Sequence, residues 1–426
     1  MEIKSIRKKF LKYVSLNVLG MIGLSCYILA DTFFVARGIG AEGLTALNLA
    51  IPVYSFINGV GLMIGMGAAT RYSISKSRTI FTEALYYVLI IASIFLLVGI
   101  FLPGQLATLL GADIATYNMT SVYLRVILCF SPMFILNNLF ICFVRNDGNP
   151  KLSMIAMVIG SLSNIILDYI FIFPLNMGMF GAAFATGIAP VVSLSILSFH
   201  IILKKNSFKL CRNGIDIKDF CDISKLGVSS FITEVSSGVV IIIFNSIILG
   251  LQGNLGVAAY GIIANIALVV IAIFTGISQG IQPIISESYG ESKKNEISKV
   301  LKYGVVTVIL FAIIVYAISF IFAEAIVGLF NKDRDLELAS IAINGLKIYF
   351  SAFIFVGVNI LSATYFNSVD DPRHSFIISF LRGFVIIIPV AYILSMIFGI
   401  NGVWITLTVT EIIVLAVSLI MLILKK

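Results

Sequence analysis

Charge is scarce in this chain: only 12% of its 426 residues are Asp, Glu, Lys or Arg, and 59% are hydrophobic. Soluble domains carry about 25% charged residues. No globular core could hide so much apolar sequence, which excludes a soluble domain and points to a polytopic membrane protein. Histidine is nearly missing, with only His200 and His374, both read as incidental residues near the ends of apolar runs. No HExxH or His-rich cluster occurs, so neither a metal centre nor a catalytic nucleophile is expected. A GxxxxGK[ST] loop is also absent, and an ATP-driven reaction would need a separate ATPase subunit. Cysteine is sparse: Cys26, Cys129 and Cys142 fall in apolar runs, and Cys211 and Cys221 fall in or beside a central polar stretch. Their spacing is not that of metal ligands, and reduced thiols are expected. No cofactor and no catalytic residue is assigned.

What is present is a series of long apolar runs. They divide into about twelve spans near the ~20 residues a bilayer requires, at 13–36, 44–74, 84–102, 117–144, 152–173, 181–203, 223–249, 257–286, 301–330, 339–365, 375–398 and 403–424. The net charge of +8 is distributed by side. Basic residues crowd one set of gaps, among them Lys4, Lys9, Arg71, Lys76, Arg145, Arg212, Lys293, Arg382 and Lys425 with Lys426. The other set holds only Arg37, Lys332 and Arg334. By the positive-inside rule both termini are cytoplasmic, in a multi-pass protein of the cell (inner or plasma) membrane. The positive charge is thus a topology signal, and nucleic acid is not an expected partner. The basic start followed by apolar sequence is read as an uncleaved first helix, because the run is too long and LSCYILA is a poor cleavage site.

The second half repeats the first weakly. Leu44–Gly67 lies over Val257–Gly280, Arg145–Pro150 over Asn367–Pro372, and Gly178–Gly181 over Gly399–Gly402. An even six spans per half gives both halves one orientation, related by an axis along the membrane normal. The expected fold is an all-α integral membrane protein of two six-helix lobes. The N-lobe covers 1–203, a cytoplasmic linker 204–222, and the C-lobe 223–426.

Polar residues inside the spans are the functional candidates, since an ionisable side chain in hydrocarbon is costly, about 2.5–3.5 kcal/mol on insertion scales. Asp31 stands well inside the first span, with Tyr27 one turn earlier on the same face and able to offer it a hydroxyl. Ser161, Asn164 and Asp168 share one face of the fifth span, and Thr186 follows in the sixth. The fourth span adds Tyr123, Asn137 and Asn138. Removal from water disfavours a charged carboxylate, and a second carboxylate nearby disfavours it further. Two such acids among neutral dipoles can hold a proton or a dehydrated monovalent cation; a static hydrogen-bonded packing pair is the alternative. In the C-lobe, Glu234 and Asn245 recur on the seventh span, Gln279 and Gln282 flank Pro283 in the eighth, and Glu411 lies in the twelfth. Glu234 suits a cationic substrate or a second proton site, or else is an acid capped by its serines. Gly59, Gly61, Gly65 and Gly67 most simply permit close helix contact.

Taken together, DTFFVARGIGAEGLTALNLAIP at Asp31–Pro52, RNDGNP at Arg145–Pro150, GISQGIQPIISESYG at Gly276–Gly290, LRGFVIIIP at Leu381–Pro389 and NGVW at Asn401–Trp404 resemble the multidrug and toxic compound extrusion family, in its bacterial branch. The resemblance implies a twelve-helix, two-lobe antiporter that exports amphipathic, often cationic compounds in exchange for H+ or Na+. By motif position it implies coupling roles for Asp31, Asn164, Asp168 and Thr186, with Tyr27 and Tyr123 nearby, and Glu234 corresponds to a seventh-helix acid found in part of the family. Asn367 and Glu411 depart from residues frequent in that branch, which makes the drug profile less transferable. The implied mechanism is alternating access, with protonation at Asp31 or Asp168 reorganising the first helix. A monomer is expected, with the lipid bilayer and small amphipathic molecules as its partners. The competing transporter reading is a flippase for lipid-linked oligosaccharides, which would favour a strongly cationic cavity; Arg125 and Lys347 are the main basic exceptions to an acidic one.

Overall fold

A computed structural model describes residues 2–211, 216–331 and 335–424, all of whose regular structure is helical. Arg212, Lys332, Arg334, Lys425, Lys426 and the Lys4 side chain, counted above for topology, lie outside the described residues. The first lobe contains α1 (Glu2–Gly38), α2 (Ala41–Ser75), α3 (Ile80–Phe101), the short α4 (Pro103–Leu109), α5 (Tyr117–Cys129), α6 (Ser131–Asn146), α7 (Pro150–Ile172) and α8 (Gly178–Ile202). The second contains α9 (Ile217–Gly290), α10 (Lys294–Ile321), the short α11 (Ala323–Phe330), α12 (Leu336–Tyr349), α13 (Phe353–Ser368), α14 (Pro372–Phe380), α15 (Ile387–Phe398) and α16 (Ile400–Leu424). Ten helical stretches are long and apolar enough to cross a bilayer, and α5 with α6, bent by 47°, adds an eleventh. The 74-residue α9 counts twice, because Gly253 breaks it with a φ of 62°. Twelve spans result. The ninth ends earlier than its apolar run: Phe322 leaves the helical region and α11 starts afresh.

The repeat is written into the backbone. The break at Leu102 before α4 is matched by Phe322 before α11, and the bend at Phe130 by a 3₁₀ turn at Phe350–Ala352. Asn149 caps α7 by accepting from the Leu152 amide, and Asp371 caps α14 by accepting from the His374 amide; each precedes a proline at the first helical position. Gly178 and Gly399, at equivalent starts, have φ of 56° and 59°, a region where a side chain would be strained. Local chemistry at these breaks therefore shapes both lobes alike.

Each lobe has its own apolar core, and the two trade ends. Ile6, Phe10, Tyr13 and Val14 at the start of α1 belong to the core built by α9, α10, α12 and α13. Val35 near its end belongs to the first lobe's core, as does Ile223 from α9. The trade occurs at one end of the bundle, the one that carries the N-terminus and most of the basic residues. Here Gly276 and Gly280 of α9 sit on the backbone of α1 at Val18 and Val14. A Cβ on Gly67 would overlap the Ile223 carbonyl, and one on Gly227 the Met63 carbonyl. Two of the basic residues counted for topology lie in helical turns. Arg145 is completely buried in the last turn of α6, and Arg382 lies within a π-helical turn at Leu381–Val385 between α14 and α15.

Candidate functional site

The polar residues of the first lobe converge where α1, α7 and α8 meet. Gly23 of α1 lets α7 approach, with Val158 and Ser161 as the nearest side chains. This contact turns the Asn164 and Asp168 face of α7 inward, and both residues are fully buried. Asp31 is buried on α1, and the two acids are electrostatic neighbours. With the Asn164 amide nitrogen turned toward Asp168, it donates to Oδ2 at 3.1 Å while its oxygen accepts from the Thr186 amide at 3.3 Å. Tyr123 lies beside both acids, Tyr54 and Thr186. The hydroxyl of Tyr27 does not reach Asp31 as anticipated. It pairs with Tyr54 at 2.8 Å, because α2 presents a closer partner across the bundle. Oδ1 of Asp31 and Oδ1 of Asp168 are buried and have no hydrogen-bond partner among the described residues. Leaving such oxygens unmatched is costly.

A second polar line crosses between the lobes. Asn138 donates to Asn58 at 2.7 Å, and Asn58 donates to Oε1 of Glu234 at 2.9 Å. The serines near Glu234 bond to backbone carbonyls: Ser237 donates to the Glu234 carbonyl, leaving its carboxyl to Asn58. Asn245 lies three turns further along α9, half-buried. Asn137 Oδ1 is buried without a partner among the described residues. Sequence reasoning missed Tyr54 and Asn58, although their spacing of four on one face of an apolar span was a usable signal.

The structure does not bring Gln279, Gln282 or Glu411 to this line. Gln279 accepts from Arg145 at 2.9 Å, and Gln282 donates to Thr70 at 3.0 Å, both in the contact between lobes at the basic end. Glu411 is buried against Arg382, which reaches it at 2.7 Å, and Asn359 donates to its other oxygen at 2.7 Å. Arg125 is exposed, and Lys347 lies over the ring of Phe320 at 5.2 Å.

At the basic end the lobes are tied by Lys9 and Lys76, which both reach Glu287, and by Arg71, which pairs with Asp219 and Asp222. Beside them lies a polar cavity of about 500 Å³ lined by Lys9, Lys76, Arg78, Asp147 and Glu287 among others. His200, read above as incidental, is buried and bonds Asp147 at 2.9 Å. Burial pushes the Asp147 carboxyl up, but His200, the Ser207 amide and the Tyr72 hydroxyl outweigh it and hold the group below its ordinary value. Among the described residues no group of three or more His, Cys, Asp or Glu side chains converges as a metal site would.

Twelve spans in two repeated lobes around buried acids are the architecture of a membrane transporter. The chain belongs to the MatE family, whose model matches residues 18–170 and 229–393, one stretch in each lobe. It is similar to the multidrug export protein MepA of Staphylococcus saprophyticus, with 27% identity over 100% of this chain and 95% of that protein. Against MepA of Staphylococcus aureus the identity is 29%, covering 94% and 90%. Solved structures share the fold. A MATE protein in complex with MaL6 superposes with a TM-score of 0.90 at 23% identity, over 97% of this chain and 94% of that one. An outward-facing multidrug resistance MATE transporter of the MOP superfamily gives 0.87 at 23% identity, with the same coverage.

Proposed function

We propose that this protein is a secondary active multidrug efflux antiporter of the cell membrane, with both termini cytoplasmic. It exports amphipathic, mostly cationic organic molecules in exchange for H+ or Na+, as a monomer and without a cofactor. The observation that carries this reading is the pair Asp31 and Asp168, both buried, within electrostatic reach of each other and with an unmatched oxygen each among the described residues. Asn164, Thr186, Tyr27 and Tyr123 complete the coupling site, and Glu234 with Asn245 supplies the preference for cations. Occupation of the acids by the coupling ion changes the position of α1, which touches both lobes, and only a differential affinity between the two states can drive the exchange. Energetically this is feasible, at about 2.3 kcal/mol per charge per 100 mV.

The test is ethidium efflux from right-side-out vesicles under a pH gradient or a sodium gradient imposed separately, for the native chain and Asp168→Asn. Efflux driven by one gradient and lost in the variant is the expected result. Efflux that survives in Asp168→Asn, or that neither gradient drives, would overturn it, and lipid-linked sugars would become the next substrates to try.

A further inference from the structure

Arg145 is among the largest fully buried side chains in the protein, yet no carboxylate pairs with it among the described residues. Nη1 donates to Asn17 Oδ1 at 3.1 Å and to Gln279 Oε1 at 2.9 Å. Nη2 faces two sulfur atoms, Met66 Sδ at 3.1 Å and Cys142 Sγ at 3.7 Å, which are weak acceptors. Nε has no partner. Gln279 belongs to the other lobe, and Asn17 lies on the stretch of α1 packed against α9, where it also donates to the Gly276 carbonyl at 2.9 Å. Met66 and Cys142 travel with Arg145 if the lobes part at the basic end, and water would then reach the guanidinium. Closing this end therefore takes a full charge out of water and returns two neutral hydrogen bonds. Burial of an ion without a counter-charge is strongly unfavourable.

We infer that Arg145 opposes closure of the basic end, and so sets the balance between the two access states. Its charge works against the ion pairs of Glu287 and Arg71 and the glycine contacts, which favour the closed arrangement seen here. Near-balance of the two states is what a transporter needs, since an overwhelming preference for either one would stall the cycle. The inference rests on the alternating-access part of the proposed function, but not on the substrate or the coupling ion.

The experiment reads opening directly, without transport. In the full-length chain, with Cys142, which contacts Arg145, replaced by alanine and the other four native cysteines by serine, a reporter is placed by Ser286→Cys. Ser286 is fully buried in the contact between lobes, near Thr70 and away from Arg145. The rate of labelling by a membrane-impermeant maleimide supplied at the basic end measures how often that end opens. Arg145→Met removes the buried charge, and Gln279→Glu gives it a counter-charge with almost no change of shape. Each is expected to slow labelling about tenfold, the factor that a 1.4 kcal/mol shift produces. If Arg145→Met does not fold, the near-isosteric Gln279→Glu decides the matter alone. Unchanged or faster labelling in either folded variant would overturn the inference and make Arg145 a bolt that holds the lobes together. Because the labelling uses neither drug nor gradient, its result stands apart from that of the ethidium assay.

Discussion

At the scale of single residues, burial decides what each intramembrane charge can be. Glu411 is 2% exposed and fully engaged: Arg382 reaches Oε1 through Nη2 and Nε, at 2.7 and 3.1 Å, and Asn359 holds Oε2. Removing one member of such a pair strands the other in a dry interior, at a cost of about 3–5 kcal/mol, whereas removing both is often tolerated. Arg382→Met should therefore lower the melting temperature of the purified protein sharply, and adding Glu411→Leu should restore most of it. A single variant that melts normally would show that the pair is not structural. The acids Asp31 and Asp168 were legible in the sequence because a carboxyl in an apolar span has few bland explanations. Arg382 was counted only as a topology charge, because no sequence rule reports that Glu411, nearly thirty residues away, comes to neutralise it. Tyr27 illustrates the same limit: the helix period put it on the face of Asp31, but the period says nothing about Tyr54 arriving from α2.

At the scale of elements, the glycines tell a similar story. The run from Gly59 to Gly67 announced a close helix contact, but not which helix would fill each notch. In the structure Gly61 and Gly65 receive Asn138 and its backbone from α6, whereas Gly67 receives α9 at Ile223. Gly227 makes the reciprocal approach to Met63. Gly227→Val places a branched side chain against that carbonyl, so α2 and α9 must separate. The expectation is a basic end that cannot close, with the reporter at Ser286→Cys labelled at least tenfold faster and ethidium efflux abolished. Normal labelling would mean that the two helices slide and accommodate the bulk. Breaks in the elements were the least legible feature. The bend at Phe130, the restart at Phe322 and the π turn at Leu381–Val385 fall inside long apolar runs. The single residues beside or within them, Pro132, Glu324 and Arg382 with Gly383, do not by themselves say whether a span bends, restarts or continues.

At the scale of the whole molecule, the closed basic end is a sum of opposed contributions. Glu287 is clamped by Lys9 and Lys76, but all three side chains are one-third to one-half exposed, at 32%, 41% and 50%. Such pairs contribute about 0–1 kcal/mol each and weaken with salt. Glu287→Gln should accordingly speed labelling of the Ser286→Cys reporter about two- to fivefold at low ionic strength, and less at high. Its sign is opposite to that expected for Arg145→Met; a salt-independent or slower rate would exclude the clamp as a stabiliser of closure. The sequence alone determined the membrane class, the twelve spans and the two-fold repeat. Those follow from the cost of placing polar groups in hydrocarbon and from period and spacing, all of which are local. Tertiary structure decided which lobe the start of α1 joins, why Gln279 and Gln282 serve the contact between lobes, and that Arg145 is buried without a counter-charge. Those depend on which helix surfaces meet across long stretches of chain, and apolar helices of near-identical composition carry no label for their partners.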